Sequence, residues 1–562
     1  MKLVECVPNI SEGRRPEIYD AVAAAAASVN GVTLLNVDPG ADTNRTVITF
    51  VGSPEAVLEG AYQLIKKGVE LIDMSTHRGA HPRIGAVDVV PFIPVAGVTM
   101  DDCVELARRL GERVGRELNV PVYLYEYACS APHRRNLADV REGEYEGCAR
   151  KLTDPKWTPD FGPAEFVPRT GAIVIGARKF LVAYNVNLNT LDKRLATRVA
   201  FDIRERGRMK RDDDGNPILD AQGEPVWEPG LLKSVKAVGW VIPEFGCAQV
   251  SINLTDLDVA PLHVVFDTCD ERARERGLRV TGSEIVGLVP RDVLLAAGRH
   301  YLQRMGRPTG VSEAALMHAA IRTLGLSELK PFDPRERVIE YRLAAPARLA
   351  SMRVNDFIDE LSSDSPAPGG GSVSALAASM AAGLAAMVAV LSHTRKGFES
   401  KQPDLNRIAI RAQALKNQFL AAVDADTAAF DQLLDAMRMP KSTPEEQSAR
   451  DAAITEATIA ATEVPLGVLE SCPEVIELCI EVGRIGLQAS LSDAGVGAQM
   501  GRAAAAGAYQ NVCINLAGLM DASRRAALLQ RGDVAWDRAR KLHAEAETAI
   551  LVKLRDSVAA TT

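Results

Sequence analysis

Apolar positions along the chain change their period once. Up to about residue 340, runs that alternate apolar and polar with period two are interleaved with runs of period 3.6. Beyond it the 3.6 period stands almost alone. The first part reads as strand (2–7), helix (17–29), strands (32–37 and 45–51), helix (53–72) and strand (86–92). A further helix (100–118) and strand (122–127) extend it. Asp38-Pro39-Gly40-Ala41-Asp42 separates the middle strands as a turn, and Ser53 before Pro54 marks a helix start. This βαββαβ order is the ferredoxin-like split unit. It recurs as strand (179–186), helix (191–206), strands (235–241 and 248–254) across Pro243-Glu244-Phe245-Gly246, helix (260–276) and strand (278–289). Residues 207–230, with Asp212-Asp213-Asp214-Gly215-Asn216-Pro217, read as an exposed, mobile insertion. Helices over 291–303 and 312–324 close this half.

After an Ala/Pro/Arg stretch around 343–351, helices are expected over 354–361, 373–392, 404–438, 443–472, 473–490, 493–522 and 531–559. The expected fold is therefore multidomain: two α/β ferredoxin-like subdomains (1–180 and 181–341), a linker (342–351) and an all-α helical bundle (352–562). Residues 375–391 are Ala, Gly, Leu, Met and Val apart from Ser379. The run is short and Ala-rich for a membrane span, and reads as a helix buried on all sides.

Composition narrows the function classes. A chain of 562 residues exceeds one core. A net charge of −8 argues against general affinity for nucleic acid or an anionic membrane surface. Nine cysteines without a C-x-x-C pair read as reduced thiols, and Met1 to Cys6 lacks a signal-peptide pattern, so a cytoplasmic location is expected.

Two of the eight histidines lie in Thr76-His77-Arg78-Gly79-Ala80-His81-Pro82-Arg83-Ile84-Gly85, a basic loop between helix and strand. Histidine there suits proton transfer, or serves only as a backbone hydrogen-bond partner. A zinc pair at His77 and His81 needs a continuous helix, which Gly79 and Pro82 oppose. In the second half, Asp426 falls on the stripe Phe419, Val423, Asp426, Phe430, Leu433, whereas Asp424 aligns with Asp431. A carboxyl within an apolar stripe has its pKa raised by desolvation, which suits acid/base work; a water- or ion-paired face is the alternative. The loop Ser365 to Ser372 offers backbone N–H groups at a helix start, or a turn for close helix packing. Gly495 to Gly501 lacks a preceding strand and the spacing of a dinucleotide loop. The amides of Gln510, Asn511 and Asn515 suit a heterocycle or interhelical hydrogen bonds.

Read together, several motifs resemble the bifunctional formimidoyltransferase-cyclodeaminase family. They are Leu3 to Gly13, Thr43 to Val47, His81-Pro82-Arg83, Pro121 to Tyr125, Asp160 to Pro163 and Gly176 to Leu181. In the second half they are Ala367 to Val373, Val423 to Asp426 and Pro440 to Glu446. The resemblance implies transfer of a formimidoyl group from N-formimidoyl-L-glutamate to tetrahydrofolate, then cyclisation to 5,10-methenyltetrahydrofolate with loss of ammonia. It implies His81 as the transferase acid/base and Asp426 as the cyclodeaminase acid/base. Folate-contacting segments of the family match Gly162-Pro163-Ala164-Glu165-Phe166-Val167-Pro168-Arg169-Thr170-Gly171 and Gly230-Leu231-Leu232. Leu231 stands where the family often has a basic residue. The family forms ring-like, dimer-based homo-oligomers and handles polyglutamylated folate, and no metal is implied.

On this reading Asp38 is expected to orient the histidine or the formimidoyl group, with Arg45, Arg78 or Arg83 binding substrate carboxylates. The competing reading is a non-catalytic folate-binding scaffold. A zinc hydrolase using His77 and His81 is more distant.

Overall fold

An alternating strand broken at Val7-Pro8 gives β1 (Leu3–Cys6) and β2 (Asn9–Ile10), since proline cannot donate to a ladder. With α1 (Pro16–Ala27), β3 (Val32–Gly40), β4 (Arg45–Gly52), α2 (Pro54–Leu71) and β5 (Val87–Ala96) it completes the first βαββαβ unit. Then come α3 (Met100–Leu118), β6 (Val122–Glu126), α4 (Leu137–Val140), α5 (Glu144–Leu152) and β7 (Ile173–Ala177). Strand order is β3–β4–β1/β2–β5–β7–β6, parallel only at β5–β7 and β7–β6. Val4, Cys6, Phe50, Val90 and Phe92 pack with Leu64 and Leu110 on one face. The alternate residues, Glu5, Val47, Thr49, Val89 and Pro91, face a cleft.

The structure, a computed structural model, describes residues 2–41, 43–79, 82–242, 245–343, 348–365 and 367–559. His81, linker residues 344–347, the turn residues Asp42, Pro243 and Glu244, and Pro366 of the glycine loop lie outside the described residues.

The second unit contains β8 (Val182–Leu188), α6 (Lys193–Ile203), β9 (Arg208–Met209), β10 (Trp227–Glu228), β11 (Val235–Ile242), β12 (Cys247–Leu254), α7 (Leu262–Arg274) and β13 (Val280–Val286). Its sheet runs β11–β12–β8–β13, antiparallel throughout. That repeats the β3–β4–β1/β2–β5 order, so the two units share a topology.

Three expectations need correction. β7 is absent from the sequence reading. It is buried at every residue between two parallel neighbours, so it shows no alternation. The insertion is exposed but has regular structure. β9 pairs β10, and between them lie two similar turns, in which Asp212 accepts from Asn216 N–H and Asp220 from Gln222 and Glu224 N–H. The helices expected over 443–472 and 473–490 are one.

α8 (Arg291–Arg304), α9 (Glu313–Leu324), α10 (Pro334–Arg337) and α11 (Ile339–Leu343) follow. Two compact units result: Met1–Val293 with Leu324–Leu343, and Leu294–Thr323 with Ala344–Thr562. The second unit thus takes in a segment from before the expected linker. There Asn406 Oδ1 accepts from the N–H groups of Thr309 (2.8 Å) and Gly310 (3.3 Å).

The helical unit consists of that segment, α12 (Val354–Leu361), α13 (Gly370–His393), α14 (Gln402–Arg438), α15 (Pro444–Ile485), α16 (Leu491–Ala517) and α17 (Ala522–Ala559). α13 packs against α14, α15 and α16, with Ala378, Ala381, Ala382 and Ala385 fully buried. α15 runs through Pro465 and Pro473. Pro465 leaves the Ala461 carbonyl without its helical donor. Asn515 Nδ2 on α16 donates to that carbonyl at 2.8 Å, which is the interhelical use of this amide. Glu456, Glu463 and Glu477 pair with Arg524, Arg531 and Arg538, all at seven-residue multiples. Both series rise together, so α15 and α17 run parallel. Each such exposed pair contributes about 0–1 kcal/mol.

Candidate active sites

Between the two sheets of the first unit lies a cleft of about 900 Å³. One wall is the outer face of the first sheet: Glu5, Asn9, Asp38, Arg45 and Thr49. The other carries Ala183, Lys236, Asn253 and Val286. The β7–β8 connection, with Arg178 and Lys179, closes one side, and Arg135 and Arg141 lie at the α4 end. Six cations line it, suited to anionic ligands. Lys179 is already paired with Asp256 (2.8 Å) and Asp258 (3.0 Å).

Of the expected substrate-binding residues, Asp38 and Arg45 line this cleft and Arg78 and Arg83 do not. They sit near the β3–β4 turn, where Asp38 pairs in register with Val47 and Gly40 with Arg45. Burial lowers the Arg45 pKa, Arg141 lowers it further, and Asp88 and Asp38 oppose the shift. Arg83 is 6% exposed, and its guanidinium is held by Glu144 (3.0 Å) and Glu146 (2.7 Å) on α5. These pairs fasten the loop to α5, and the guanidinium does not line the cleft. Arg78 is exposed and donates to the His77 carbonyl.

His77 is buried, with both ring nitrogens occupied. Nε2 lies 3.0 Å from the Asn44 carbonyl, and Nδ1 accepts from Arg83 Nε at 3.2 Å. That pattern defines the neutral Nε2–H tautomer. Burial lowers its pKa; the Asn44 carbonyl opposes this and Arg83 adds to it. Asn44 also receives Gly13 N–H and donates to the Arg78 carbonyl. Beyond the undescribed pair, Asp88 accepts from Ile84 N–H and is ion-paired with Arg141. Pro82, next to His81 in the chain, borders a hollow that shares Asn136, Leu137, Arg141 and Lys236 with the cleft.

The segment from Gly162 to Gly171 lies beside this loop and does not line the cleft. Met74 N–H donates to the Arg169 carbonyl, Ala86 N–H to the Thr170 carbonyl, and Tyr145 Oη to the Pro168 carbonyl. Gly171 has φ +66°, and a Cβ there would meet the Ile84 carbonyl at 2.3 Å, so only glycine fits. Gly230 to Leu232 cross the end of α6, with Leu231 and Leu232 N–H on the Asp202 and Ile203 carbonyls. Leu231 is exposed.

The second site is compact. Asp426 on α14 meets the first turn of α13. Ser372 Oγ lies 3.1 Å from Asp426 Oδ2 and 3.0 Å from the Val423 carbonyl, and Ser372 N–H also reaches the carboxyl. A Cβ on Gly371 would sit 2.1 Å from Asp426 Oδ1, so the carboxyl lies directly on the helix start. Burial raises its pKa, against the Ser372 hydroxyl and N–H, which favour the ionised form. Phe419 and Val423 are fully buried while Phe430 is 36% exposed. The apolar stripe therefore surfaces at Asp426, leaving the acid half-buried and accessible.

Asp424 has a different task. Its carboxylate accepts from the N–H groups of Arg348 (3.1 Å), Leu349 (2.7 Å) and Ala350 (3.2 Å). Asn511 stands beside Gly370 at the same helix start.

Sequence reasoning missed Glu5, Arg135, Arg141, Arg178 and Lys236. For Glu5 a signal existed: an acid alternating with Val4 and Cys6 in an otherwise apolar strand. Among the described residues, no group of three or more His, Cys, Asp or Glu side chains is placed to hold a metal ion.

Three family models match in order: the formiminotransferase domain N-terminal subdomain (residues 3–178), the formiminotransferase domain (183–344) and formiminotransferase-cyclodeaminase (353–533). The formimidoyltransferase-cyclodeaminase of Mus musculus is 43% identical over 523 residues, covering 92% of this chain and 93% of that protein. A glutamate formimidoyltransferase of Streptococcus pyogenes is 40% identical over 302 residues, covering 54% of this chain and 94% of its own. A methenyltetrahydrofolate cyclohydrolase of Methylorubrum extorquens is 36% identical over 168 residues, 30% of this chain and 81% of its own. Two ferredoxin-like units followed by a helical bundle, matched along nearly their whole length, thus fit one lineage: the chain belongs to the formimidoyltransferase-cyclodeaminase family.

Proposed function

We propose that the sheet unit transfers a formimidoyl group from N-formimidoyl-L-glutamate to tetrahydrofolate and that the helical unit cyclises the product, in the breakdown of histidine. The observation that carries this is the coexistence of a cation-lined cleft and a separate half-buried acid, in a chain similar throughout to bifunctional relatives. In the transfer, N5 of tetrahydrofolate bonds to the amidine carbon and the C=N π pair moves to the terminal nitrogen. N5 loses a proton and the glutamate nitrogen gains one; the terminal-nitrogen pair then re-forms the C=N bond as the C–N bond to glutamate breaks, its pair leaving on glutamate. His81 is the proposed base and then acid for these proton transfers. Of the cleft residues, Asp38 is proposed to orient the histidine or the formimidoyl group and Arg45 to bind a substrate carboxylate.

In the cyclisation, N10 bonds to the same carbon and ammonia departs with its bonding pair, consuming one proton overall. Asp426 is proposed to deliver that proton, and the raised pKa of its carboxyl supports the role. Tetrahydrofolate is the co-substrate, proposed to be polyglutamylated and to need no metal, with the segments at 162–171 and 230–232 in contact with it. A dimer-based homo-oligomer in the cytoplasm completes the proposal, supported in part by nine unpaired cysteines. A coupled assay with both substrates, following methenyl absorbance, tests the whole; no product from the pure chain would sink it.

A further inference from the structure

Glu5 is a buried carboxyl with no task in the chemistry above. Its neighbours Val4 and Cys6 point into the core beneath α1 and α2, so alternation turns Glu5 to the opposite face. There it lines the cleft with Asn9, Asp38 and Arg45. The residue is 2% exposed, and among the described residues no hydrogen bond reaches its carboxyl. Burial pushes its pKa up to about 7, with Arg178 drawing it down and Glu340 on α11 adding to the rise. A buried carboxylate without a hydrogen-bonded partner costs several kcal/mol, unless a ligand brings the partner.

On the transferase reading, the donor brings one. A formimidoyl group on an amine is an amidine, protonated at neutral pH. Its planar N–C–N fork carries N–H donors on both nitrogens, which match the two oxygens of a carboxylate as a guanidinium does. The other charged portions of the donor are its carboxylates, for which the cleft offers cations. We propose that Glu5 receives the formimidoyl amidinium and thereby selects a cationic amidine donor over a neutral acyl one.

The test is equilibrium binding of N-formimidoyl-L-glutamate and of its neutral counterpart N-formyl-L-glutamate to the full chain, wild type and Glu5→Gln. Glu5→Gln should weaken the cationic ligand about tenfold or more, the size of a lost charge-assisted pair, and change the neutral one less than about twofold. Glu5→Asp, which keeps the charge, should retain part of the preference. An equal loss for both ligands, as a disrupted cleft would give, or no loss for either, overturns the proposal. Wild-type transfer activity, measured separately, shows whether the underlying transferase reading stands.

Discussion

In the sheet unit, the groups lining the cleft come from distant stretches of chain, from Glu5 on β1 to Val286 on β13. In the helical unit, Asp426 is held by one turn of one neighbouring helix. The first arrangement spreads six cations over a broad surface; the second fixes the ionisation of one carboxyl by burial, a hydroxyl and an N–H. The cleft suits positioning an extended anionic substrate, where each contact contributes a share. The second arrangement suits the transfer of one proton, and on the proposed role any displacement of that acid would impair it.

The sharpest way to break this comparison is a reciprocal pair of variants. Asp426→Asn should lower cyclisation of supplied 5-formimidoyltetrahydrofolate by about 10²–10⁴-fold and leave transfer intact, while His81→Ala should do the reverse. If either variant depressed both reactions alike, the separation into two independent sites would be wrong. Gly371→Ala should follow, with a cyclisation loss on the order of a hundredfold, because its methyl would occupy the place of Asp426 Oδ1. Unchanged cyclisation would mean that the carboxyl works from another position.

Smaller effects sharpen the picture. Cyclisation should fall as pH rises through the raised pKa of Asp426, if the acid acts in its protonated form as proposed. Ser372→Ala removes a donor to the ionised form, so that fall should move to higher pH by about one unit. A shift to lower pH would show that the hydroxyl favours the acid instead. Least of all, replacing residues 209–227 by a short turn should leave both activities within about twofold. The ends of the insertion already meet, since a Cβ on Gly207 would touch the Gly230 nitrogen at 2.6 Å. A large loss of folate binding in the steady-state assay would instead give the ribbon a role.

Legibility from sequence divided along the same line. Helical periodicity alone singles out Asp426, because one acid breaks a stripe set by Phe419 and Val423 on the same helix. Strand alternation sets Glu5 apart from Val4 and Cys6, but both faces of the first sheet are buried, so alternation alone does not say that the face of Glu5 lines a cleft. Nothing in the sequence around Arg83 shows what holds its guanidinium. Its partners, Glu144 and Glu146, lie some sixty residues away, and only the fold brings them together. The βαββαβ order was readable twice, whereas β7 was not, because a central parallel strand carries no polar face. Pro473 reads locally as a helix start, a rule that the packing of α15 overrides.

The segment from Leu294 to Thr323, which joins the helical unit although it precedes the linker, bears on how the deaminase would be dissected. A fragment trimmed to the matched residues 353–533 would lack Thr309 and Gly310 for Asn406, and also the backbone amides that satisfy Asp424, two residues from Asp426. A freestanding deaminase therefore has to begin upstream of Arg348 and be given residues 294–323, grafted or supplied in trans, to recover its native stability.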